Sequence, residues 1–281
     1  MLVTLKEILK YAEENKCAIG SFNTPTLENI EATLDAAEKL NVPVILMHAE
    51  IHEEYAPLDI IGPIMVEMAK KSKQKVCVFL DHGTSIDYIK KALELGFTGV
   101  MYDGSQLPYE ENLKNTVICG KLAKEHGASL EAEIGVIGGR EAGSKEPDAT
   151  KMYTNPMDAL RFVNESNCID ALACSFGTAH GIYKSQPKLD FDRISKIAEL
   201  VKLPLVMHGG SGVSKESYLK AIDCGIRKIN YYSYAGKAGV DATRKFLETD
   251  PTFYHEIAFE AKKAMEENIL EALKVFNKII D

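Results

Sequence analysis

The sequence predicts an α/β fold, a closed (β/α)8 barrel that forms one domain over residues 1–281. Short apolar runs rich in Val, Ile, Leu and Phe recur about every 25 to 40 residues, as buried parallel strands do. Helix-like segments separate them, and 281 residues are an ordinary length for such a barrel. An open doubly wound sheet is the alternative, but its usual Gly-rich fingerprint is missing after the first strand, which ends in Phe22-Asn23.

The elements alternate in chain order. Strands are predicted near residues 18, 45, 78, 101, 131, 172, 206 and 229. Helices are predicted over 5–15, 26–41, 59–73, 85–95, 108–126, 155–165, 191–201 and 215–223, and helical sequence dominates from 235 onward. In the second helix, for example, Leu27, Ile30, Leu34, Ala37 and Leu40 share one apolar face. No ninth strand follows residue 253, so residues 253–281 are expected to be extra C-terminal helices.

Composition limits the partners. Hydrophobic residues make up 46% and charged residues 26%, which is typical of globular proteins. The net charge of −8 argues against nucleic acid or an anionic membrane as the main partner. Neither a secretory signal nor a bilayer-spanning apolar run is visible, and the six cysteines contain no Cys-x-x-Cys pair. We therefore expect a cytoplasmic protein with reduced thiols.

Three histidines occupy equivalent places in the predicted barrel. His82, His180 and His208 close strand-like runs of the third, sixth and seventh βα units, and a glycine follows each. Because the carboxyl ends of parallel strands meet at one mouth, the three imidazoles are expected to converge. Three imidazoles suit Zn²⁺ or another divalent cation and leave one coordination position open for a substrate.

Acidic residues are predicted at the same mouth. Glu131 and Glu133 share a face of the fifth strand by alternation, and with Asp103 they are candidates to orient the imidazoles or to serve as alternative ligands. Asp81 neighbours His82, so it points to the opposite face unless the strand end twists. The sequence leaves open whether Asp81 faces the mouth or caps the helix that starts near Ser85.

Glycine and hydroxyl residues at the last two strand ends suggest an anion site. Gly209, Gly210 and Ser211 follow the seventh strand, and Asn230 to Ser233 follow the eighth. Backbone N–H groups at such turns bind phosphate, and the seventh and eighth loops are its usual place in these barrels. A merely flexible loop is the alternative reading of the glycines.

Six ordered motifs give the chain a resemblance to the class II, zinc-dependent fructose/tagatose-bisphosphate aldolases. They are Leu80-Asp-His-Gly83, Val100-Met-Tyr-Asp-Gly-Ser105, Glu131-Ala-Glu-Ile-Gly-Val-Ile-Gly-Gly139, Phe176-Gly-Thr-Ala-His-Gly-Ile-Tyr183, Leu205-Val-Met-His-Gly-Gly-Ser-Gly212 and Lys228-Ile-Asn230. The resemblance runs from about residue 5 to residue 275.

The resemblance implies a lyase that reversibly cleaves a ketose 1,6-bisphosphate of the fructose or tagatose type, or a related ketose 1-phosphate, to dihydroxyacetone phosphate and an aldehyde. It implies Zn²⁺ on the three histidines, Asp81 as the group that takes the C4 hydroxyl proton, and Glu141 as the group that exchanges the proton on dihydroxyacetone phosphate. A homodimer or homotetramer is also implied. The implied substrate and phosphate contacts, helped by Na⁺ or K⁺, are Asn23, Gly181, Gly209, Gly210, Ser211, Asn230 and Ser233.

The chain departs from the resemblance where the aldehyde half would bind. Ala49 replaces a hydroxyl residue, Arg140 replaces an acid, and no arginine follows Arg244 to reach a distal phosphate. His48, Glu50, His52 and Arg140 are therefore candidates to recognise an unphosphorylated or differently charged tail. A solvated polar loop is the alternative.

Other functions remain open at this point. One is a non-catalytic phosphosugar-binding relative that keeps the metal, and another is a lyase of the same fold acting on a deoxy-sugar acid phosphate. Metal-assisted hydrolysis is disfavoured because the first strand lacks the His-x-His typical of such barrels. A Schiff-base mechanism is disfavoured because Lys228 is not an obvious barrel nucleophile.

Overall fold

Eight parallel strands close into a barrel in the computed structural model, which describes residues 1–135, 138–139 and 153–279. The barrel strands are β1 Ile19–Asn23, β2 Val44–Ala49, β3 Val76–Gly83, β4 Gly99–Tyr102, β5 Ser129–Ile134, β7 Ala171–Cys174, β9 Leu205–Met207 and β10 Ile226–Tyr231. Two short strands outside the barrel are β6 Gly138–Gly139 and β8 Ala179–His180. The ring order is β1, β10, β9, β7, β5, β4, β3, β2, so the predicted (β/α)8 barrel is confirmed.

Helices surround the barrel and extend beyond it. They are α1 Leu5–Asn15, α2 Leu27–Leu40, α3 Leu58–Lys71, α4 Ile86–Glu94, α5 Tyr109–Glu125, α6 Pro156–Ser166, α7 Phe191–Val201, α8 Lys215–Asp223, α9 Ser233–Leu247 and α10 Tyr254–Phe276, with a 3₁₀ turn at Glu50–His52. The C-terminal α10 packs against α2, α8, α9 and β1. Its Leu273 and Phe276 are fully buried in the same hydrophobic cluster as Phe22 of β1.

The helix α1 closes the amino-terminal end of the barrel. Thr4 and Glu7 form a capping box that starts α1, and each satisfies a backbone N–H that the helix leaves open. Leu5, Ile8 and Leu9 are buried against inward-facing strand residues in one apolar cluster. Polar side chains inside the barrel are consequently found above this layer, toward the carboxyl ends of the strands.

A short second ladder lies above the barrel. The two-residue strands β6 and β8 pair in parallel, with Gly139 opposite His180. This ladder ties the segment after β5 to the segment after β7 and fixes the backbone at His180. None of the described helices is both long and apolar enough to cross a lipid bilayer.

Candidate active site

A cavity of about 1000 Å³ opens at the carboxyl ends of the barrel strands. Pockets of this size accommodate a sugar phosphate. Its wall contains two of the three predicted ligand histidines, His82 and His180, together with Asp81, Asp103 and Glu133. The residues predicted to bind substrate or phosphate that also line it are Asn23, Gly181, Gly209, Ser211, Asn230 and Ser233.

The end of β3 is irregular, and this irregularity brings Asp81 and His82 to the same side. Phe79 belongs to the inner cluster, so alternation turns Asp81 inward and would turn His82 outward. However, the register between β3 and β4 shifts between Leu80 and Gly83, and His82 has a φ of 105°. A bulge of this kind re-aims a side chain, and here it brings both residues to the cavity.

The side chains of the three predicted ligand histidines lie close together. Ring centroids are 4.5 Å apart for His82 and His208, 5.3 Å for His82 and His180, and 6.0 Å for His180 and His208. One nitrogen from each ring lies within 4.8 Å of the others, as a shared metal ion requires. A second group that could hold a cation consists of His82, Asp103 and Glu133.

Carboxylates set the orientation of two of these rings. The Nδ1 atom of His82 lies 3.0 Å from Asp103 Oδ2, and the Nε2 atom of His208 lies 2.9 Å from Glu131 Oε1. The remaining nitrogens, His82 Nε2 and His208 Nδ1, face each other across 2.8 Å. Imidazoles that bind metals usually donate their second N–H to a carboxylate in this way, so the donor set fits a divalent cation.

Asp103 and Glu131, which contact the imidazoles, are themselves held by neighbouring side chains. Asp103 Oδ1 accepts hydrogen bonds from the backbone and side chain of Ser105, and Asp103 Oδ2 faces His82. Both oxygens of Glu131 are within 3.1 Å of Lys228 Nζ. Glu133 differs, because its Oε2 is buried without a hydrogen-bond partner.

The charges of the cluster shift its pKa values. Burial lowers the pKa of His208 well below its usual range, and the nearby His82 adds to this effect. Burial also opposes charge on His82, but Asp81 and Asp103 outweigh it and raise the pKa of His82 to about 9. Burial raises the pKa of Glu133 well above its usual range.

Asp81 is a buried carboxylate held between two amides. Its Oδ1 accepts a hydrogen bond of 2.9 Å from Asn230 Nδ2, and its Oδ2 accepts one of 3.2 Å from Asn23 Nδ2. Burial opposes ionisation of Asp81, but His82, His208 and Lys228 outweigh it and lower the pKa. Asp81 therefore faces the cavity as a carboxylate, which answers the question that the sequence left open, and Ser85 caps α4 instead.

The glycine and serine loops surround the start of α9. Ser211 Oγ accepts hydrogen bonds from the N–H groups of Tyr232 and Ser233, so its own proton is left to donate elsewhere. Gly209 has a φ of 61°, and a Cβ there would meet Ala179 O at 2.5 Å, so only glycine fits. Gly210 was expected at this site but does not line the cavity, because its N–H donates to Asn230 O and its carbonyl accepts from Tyr218.

The residues expected to bind the tail of the substrate do not all lie in the cavity. Glu50 and His52 line the cavity, and Glu50 Oε2 accepts hydrogen bonds from the N–H and hydroxyl of Thr84. His48 was expected there too, but it lies on the outer face of β2 with Nε2 2.9 Å from the hydroxyl of Tyr88 on α4. We therefore withdraw His48 from the site. Arg140 and Glu141 lie outside the described residues.

Several residues in or below the cavity were not predicted from the sequence. Tyr55, Gln106 and Tyr232 also line the cavity, but their loops carry no pattern that singles them out. Lys228 is fully buried inside the barrel and pairs with Glu131. It could have been found from alternation, because Lys228 and Asn230 lie two residues apart and must share the inner face. Its burial and ion pair leave it unavailable as a Schiff-base nucleophile.

Comparison with known proteins agrees with this geometry. The sequence model of the family described as fructose-bisphosphate aldolase class-II matches residues 3–279. The sulfofructosephosphate aldolase of Alkalicoccus urumqiensis is 35% identical over 96% of this chain and 95% of its own length. The fructose-bisphosphate aldolase of Geobacillus stearothermophilus is 35% identical over 98% of this chain and 96% of its own.

Solved structures give the same result. The crystal structure of the YdjI aldolase from Escherichia coli superposes with a TM-score of 0.87 at 31% identity, covering 98% of this chain and 97% of that one. The resemblance first seen in the motifs is therefore confirmed, and the shared fold extends to the whole barrel. This chain is an aldolase that belongs to the class II fructose-bisphosphate aldolase family.

Proposed function

We propose that the protein reversibly cleaves a ketose 1,6-bisphosphate of the fructose or tagatose type, or a related ketose 1-phosphate, to dihydroxyacetone phosphate and an aldehyde. The observation that carries this proposal is the position of Asp81. A buried carboxylate, fixed by the amides of Asn23 and Asn230, lies beside three converging imidazoles. This arrangement provides a base next to a cation site, and retro-aldol cleavage without a Schiff base needs both.

His82, His180 and His208 would hold the cation, which we infer to be Zn²⁺. Such a cation supplies Lewis-acid polarisation of a substrate oxygen. Asp81 takes the proton of the C4 hydroxyl while the C3–C4 bond breaks, C4 becomes the aldehyde carbon, and the electron pair passes to C3 and its adjoining carbonyl. We assign the return of a proton to C3 to Glu141, on the resemblance alone.

We place the phosphate at the start of α9. Gly181, Gly209, Ser211 and Ser233 line that part of the cavity, and a helix N-terminus favours an anion. Ser211 retains a hydroxyl proton to donate, because its oxygen already accepts two backbone N–H groups. A protein with a net charge of −8 needs such local donors, and Na⁺ or K⁺ would reduce the repulsion further.

Of these substrates we favour a ketose 1-phosphate, whose tail carries no phosphate. Among the described residues that line the cavity there is no lysine or arginine, whereas Glu50 and Glu54 contribute carboxylates. Carboxylates repel a phosphate dianion and accept hydrogen bonds from hydroxyl groups. Relatives of similar identity carry the names of different substrates, so similarity does not choose between tails.

The decisive experiment is a substrate panel. Purified protein is incubated with fructose and tagatose 1,6-bisphosphates and with ketose 1-phosphates of increasing length, and release of dihydroxyacetone phosphate is measured with and without a chelator. We expect chelator-sensitive release that zinc restores. Metal binding without turnover of any compound would indicate a phosphosugar-binding protein. Release of inorganic phosphate would indicate hydrolysis, and turnover only of deoxy-sugar acid phosphates would indicate the alternative lyase.

We also propose a homo-oligomer, a dimer or tetramer, in a reducing cytoplasmic environment. The start of α10 supports association, because Phe253, Tyr254 and Phe259 are more than half exposed there. The six cysteines, all unpaired, support the reducing environment. Light scattering coupled to gel filtration measures the subunit number.

A further inference from the structure

Lys228 is a charged side chain with no exposure to solvent. It lies on β10 beside Ile19 of β1 and Val206 of β9, below the active-site cavity. Its Nζ atom is 2.8 Å from Glu131 Oε2, 3.1 Å from Glu131 Oε1 and 4.1 Å from the centre of the Phe79 ring. Lys228 therefore contacts an acid and an aromatic face, and the cavity wall does not include it.

Stability does not explain this ion pair. Desolvating two charges costs several kcal/mol per ion, and apolar residues of similar volume often replace a buried pair without loss. The neighbouring barrel interior consists of apolar side chains such as Phe79, Met101 and Val206, so an apolar layer would have continued readily. The pair between Lys228 and Glu131 calls for another role.

Glu131 connects Lys228 to the cation site. The same oxygen, Oε1, lies 2.9 Å from His208 Nε2, so His208 donates its Nε2–H to it. The other nitrogen of the ring, Nδ1, is then an acceptor that faces His82 Nε2 across 2.8 Å. The 3.2 Å approach of Asn230 Nδ2 to the same Nδ1 fits an acceptor there. One buried chain thus runs from Lys228 through Glu131 to His208.

We propose that Lys228 is a positioning residue for the cation site. Its ammonium group anchors both oxygens of Glu131, and Glu131 in turn holds His208 in the tautomer whose Nδ1 lone pair points at the cation. Lys228 acts through two other side chains and contacts neither substrate nor cation. This inference rests on the cation site of the proposed function, but it does not depend on which sugar is cleaved.

The test measures cation affinity rather than turnover. The dissociation constants of Zn²⁺ and Co²⁺ are determined by competition with a chromophoric chelator for the wild type, Lys228→Met, Glu131→Gln and the double variant. We expect each single change to weaken binding about 10- to 100-fold, as the loss of partners behind metal ligands does. The double variant should be no weaker than the weaker single variant, because both changes interrupt one chain. The Co²⁺ absorption spectrum should change together with the affinity.

Lys262→Met is the matched control. Lys262 also pairs with two acids, Asp35 and Glu31, but on the outside of the barrel. Its removal should leave the dissociation constants unchanged. Affinities of folded Lys228→Met within twofold of the wild type, or losses that add in the double variant, would overturn the proposal.

A second measurement needs no variant. With ¹⁵N-labelled histidine, the wild-type protein should show His208 with its proton on Nε2, hydrogen-bonded to a carboxylate. A proton on Nδ1 instead would refute the assignment even if Lys228→Met does not fold. A wild type that binds no divalent cation refutes the cation site itself and thus also the proposed function, whereas unchanged affinity in Lys228→Met refutes only this inference.

Discussion

Asp81 is a buried carboxylate whose position is fixed by hydrogen bonds and whose charge suits it to act as a base. Both of its oxygens accept amide hydrogen bonds, and the carboxylates that orient His82 and His208 are those of Asp103 and Glu131. We expect Asp81→Asn to retain cation affinity within a few-fold and to lose about 10²- to 10⁴-fold in cleavage, since the base is gone. Steady-state cleavage and cation titration check both parts.

Asp103→Asn is the matched comparison for Asp81→Asn. Asp103 orients His82, so its replacement should weaken cation binding first. Unchanged turnover in Asp81→Asn would remove Asp81 from the mechanism.

Glu50 tests the distal end of the cavity. Replacing its carboxylate by an ammonium group should favour a phosphorylated aldehyde. We expect Glu50→Lys to raise kcat/KM for glyceraldehyde 3-phosphate relative to glyceraldehyde by about tenfold in the condensation direction, a change of about 1.4 kcal/mol. The ratio should shrink at high salt, because the group is partly exposed.

Glu94→Lys is the control for Glu50→Lys. It makes the same charge change on α4 outside the cavity wall, so it should leave the kcat/KM ratio as it is. A wild type that already prefers the phosphorylated aldehyde would contradict the proposed uncharged tail.

His48 has a structural role that appears only in the folded chain. Burial lowers its pKa to about 4, so the folded protein keeps it neutral while the unfolded chain protonates it near pH 6.5. The stability it contributes is therefore complete above pH 6.5 and is lost as the pH falls toward 4, by up to about 3 kcal/mol.

Denaturant unfolding between pH 7 and pH 4 checks the effect of His48. His48→Gln should lose less stability than the wild type over this range, and the exposed His126→Gln should follow the wild type. Parallel curves for the wild type and His48→Gln would show that His48 does not contribute.

Residue types at the site were predictable, whereas side-chain directions were not. The pattern of strand, histidine and glycine indicated His82, His180 and His208, because it repeats at three strand ends. Alternation along a strand predicts that Asp81 and His82 point to opposite faces. They point to the same side because of a bulge at His82, and this bulge depends on the pairing with β4. His48 was misplaced for a different reason: a shift of one position along β2 decides between the cavity and the outer face.

At the level of elements, α1 forms the floor of the barrel. Leu9 is almost completely buried there against inward-facing strand residues. We expect Leu9→Ala to lower the free energy of unfolding by about 2 to 5 kcal/mol, because it leaves a cavity far from the catalytic end. Urea unfolding measures this loss, and cleavage by the folded enzyme should be unchanged.

Lys10→Ala is the neighbouring control for Leu9→Ala. The side chain of Lys10 is 77% exposed, so its removal should cost no more than about 0.5 kcal/mol. A loss below about 1 kcal/mol in Leu9→Ala would mean that α1 does not support the barrel.

Most elements could be predicted, since each apolar strand and each amphipathic helix carries its own period. The helices Leu5–Asn15 and Lys215–Asp223 match the predicted bounds. The ladder of β6 and β8 could not be predicted, because two residues are too few for a pattern and their pairing depends on loops that meet only after folding. It nevertheless fixes His180, so part of the active site is organised by an element without a sequence signature.

For the whole molecule, the eight βα repeats allowed the barrel to be predicted, because parallel strands of this number close on themselves. The size and lining of the cavity could not be predicted, since they depend on how loops from several units pack together. The charged layer formed by Lys228 and Glu131 was missed for a related reason. Alternation can place each of these residues on the inner face of its own strand, but only closure of the barrel brings them 2.8 Å apart.

The three histidines come from β3, β8 and the end of β9, far apart along the chain. An unfolded polypeptide does not hold the three histidines together, so we expect the cation to bind only after the barrel has closed. We therefore expect added Zn²⁺ to slow unfolding in stopped-flow denaturant jumps and to leave the refolding rate unchanged. Faster refolding with Zn²⁺ would mean that chelation precedes closure. If the refolding rate is unchanged, as we expect, the cation would govern how long the native state lasts without affecting how quickly it is reached.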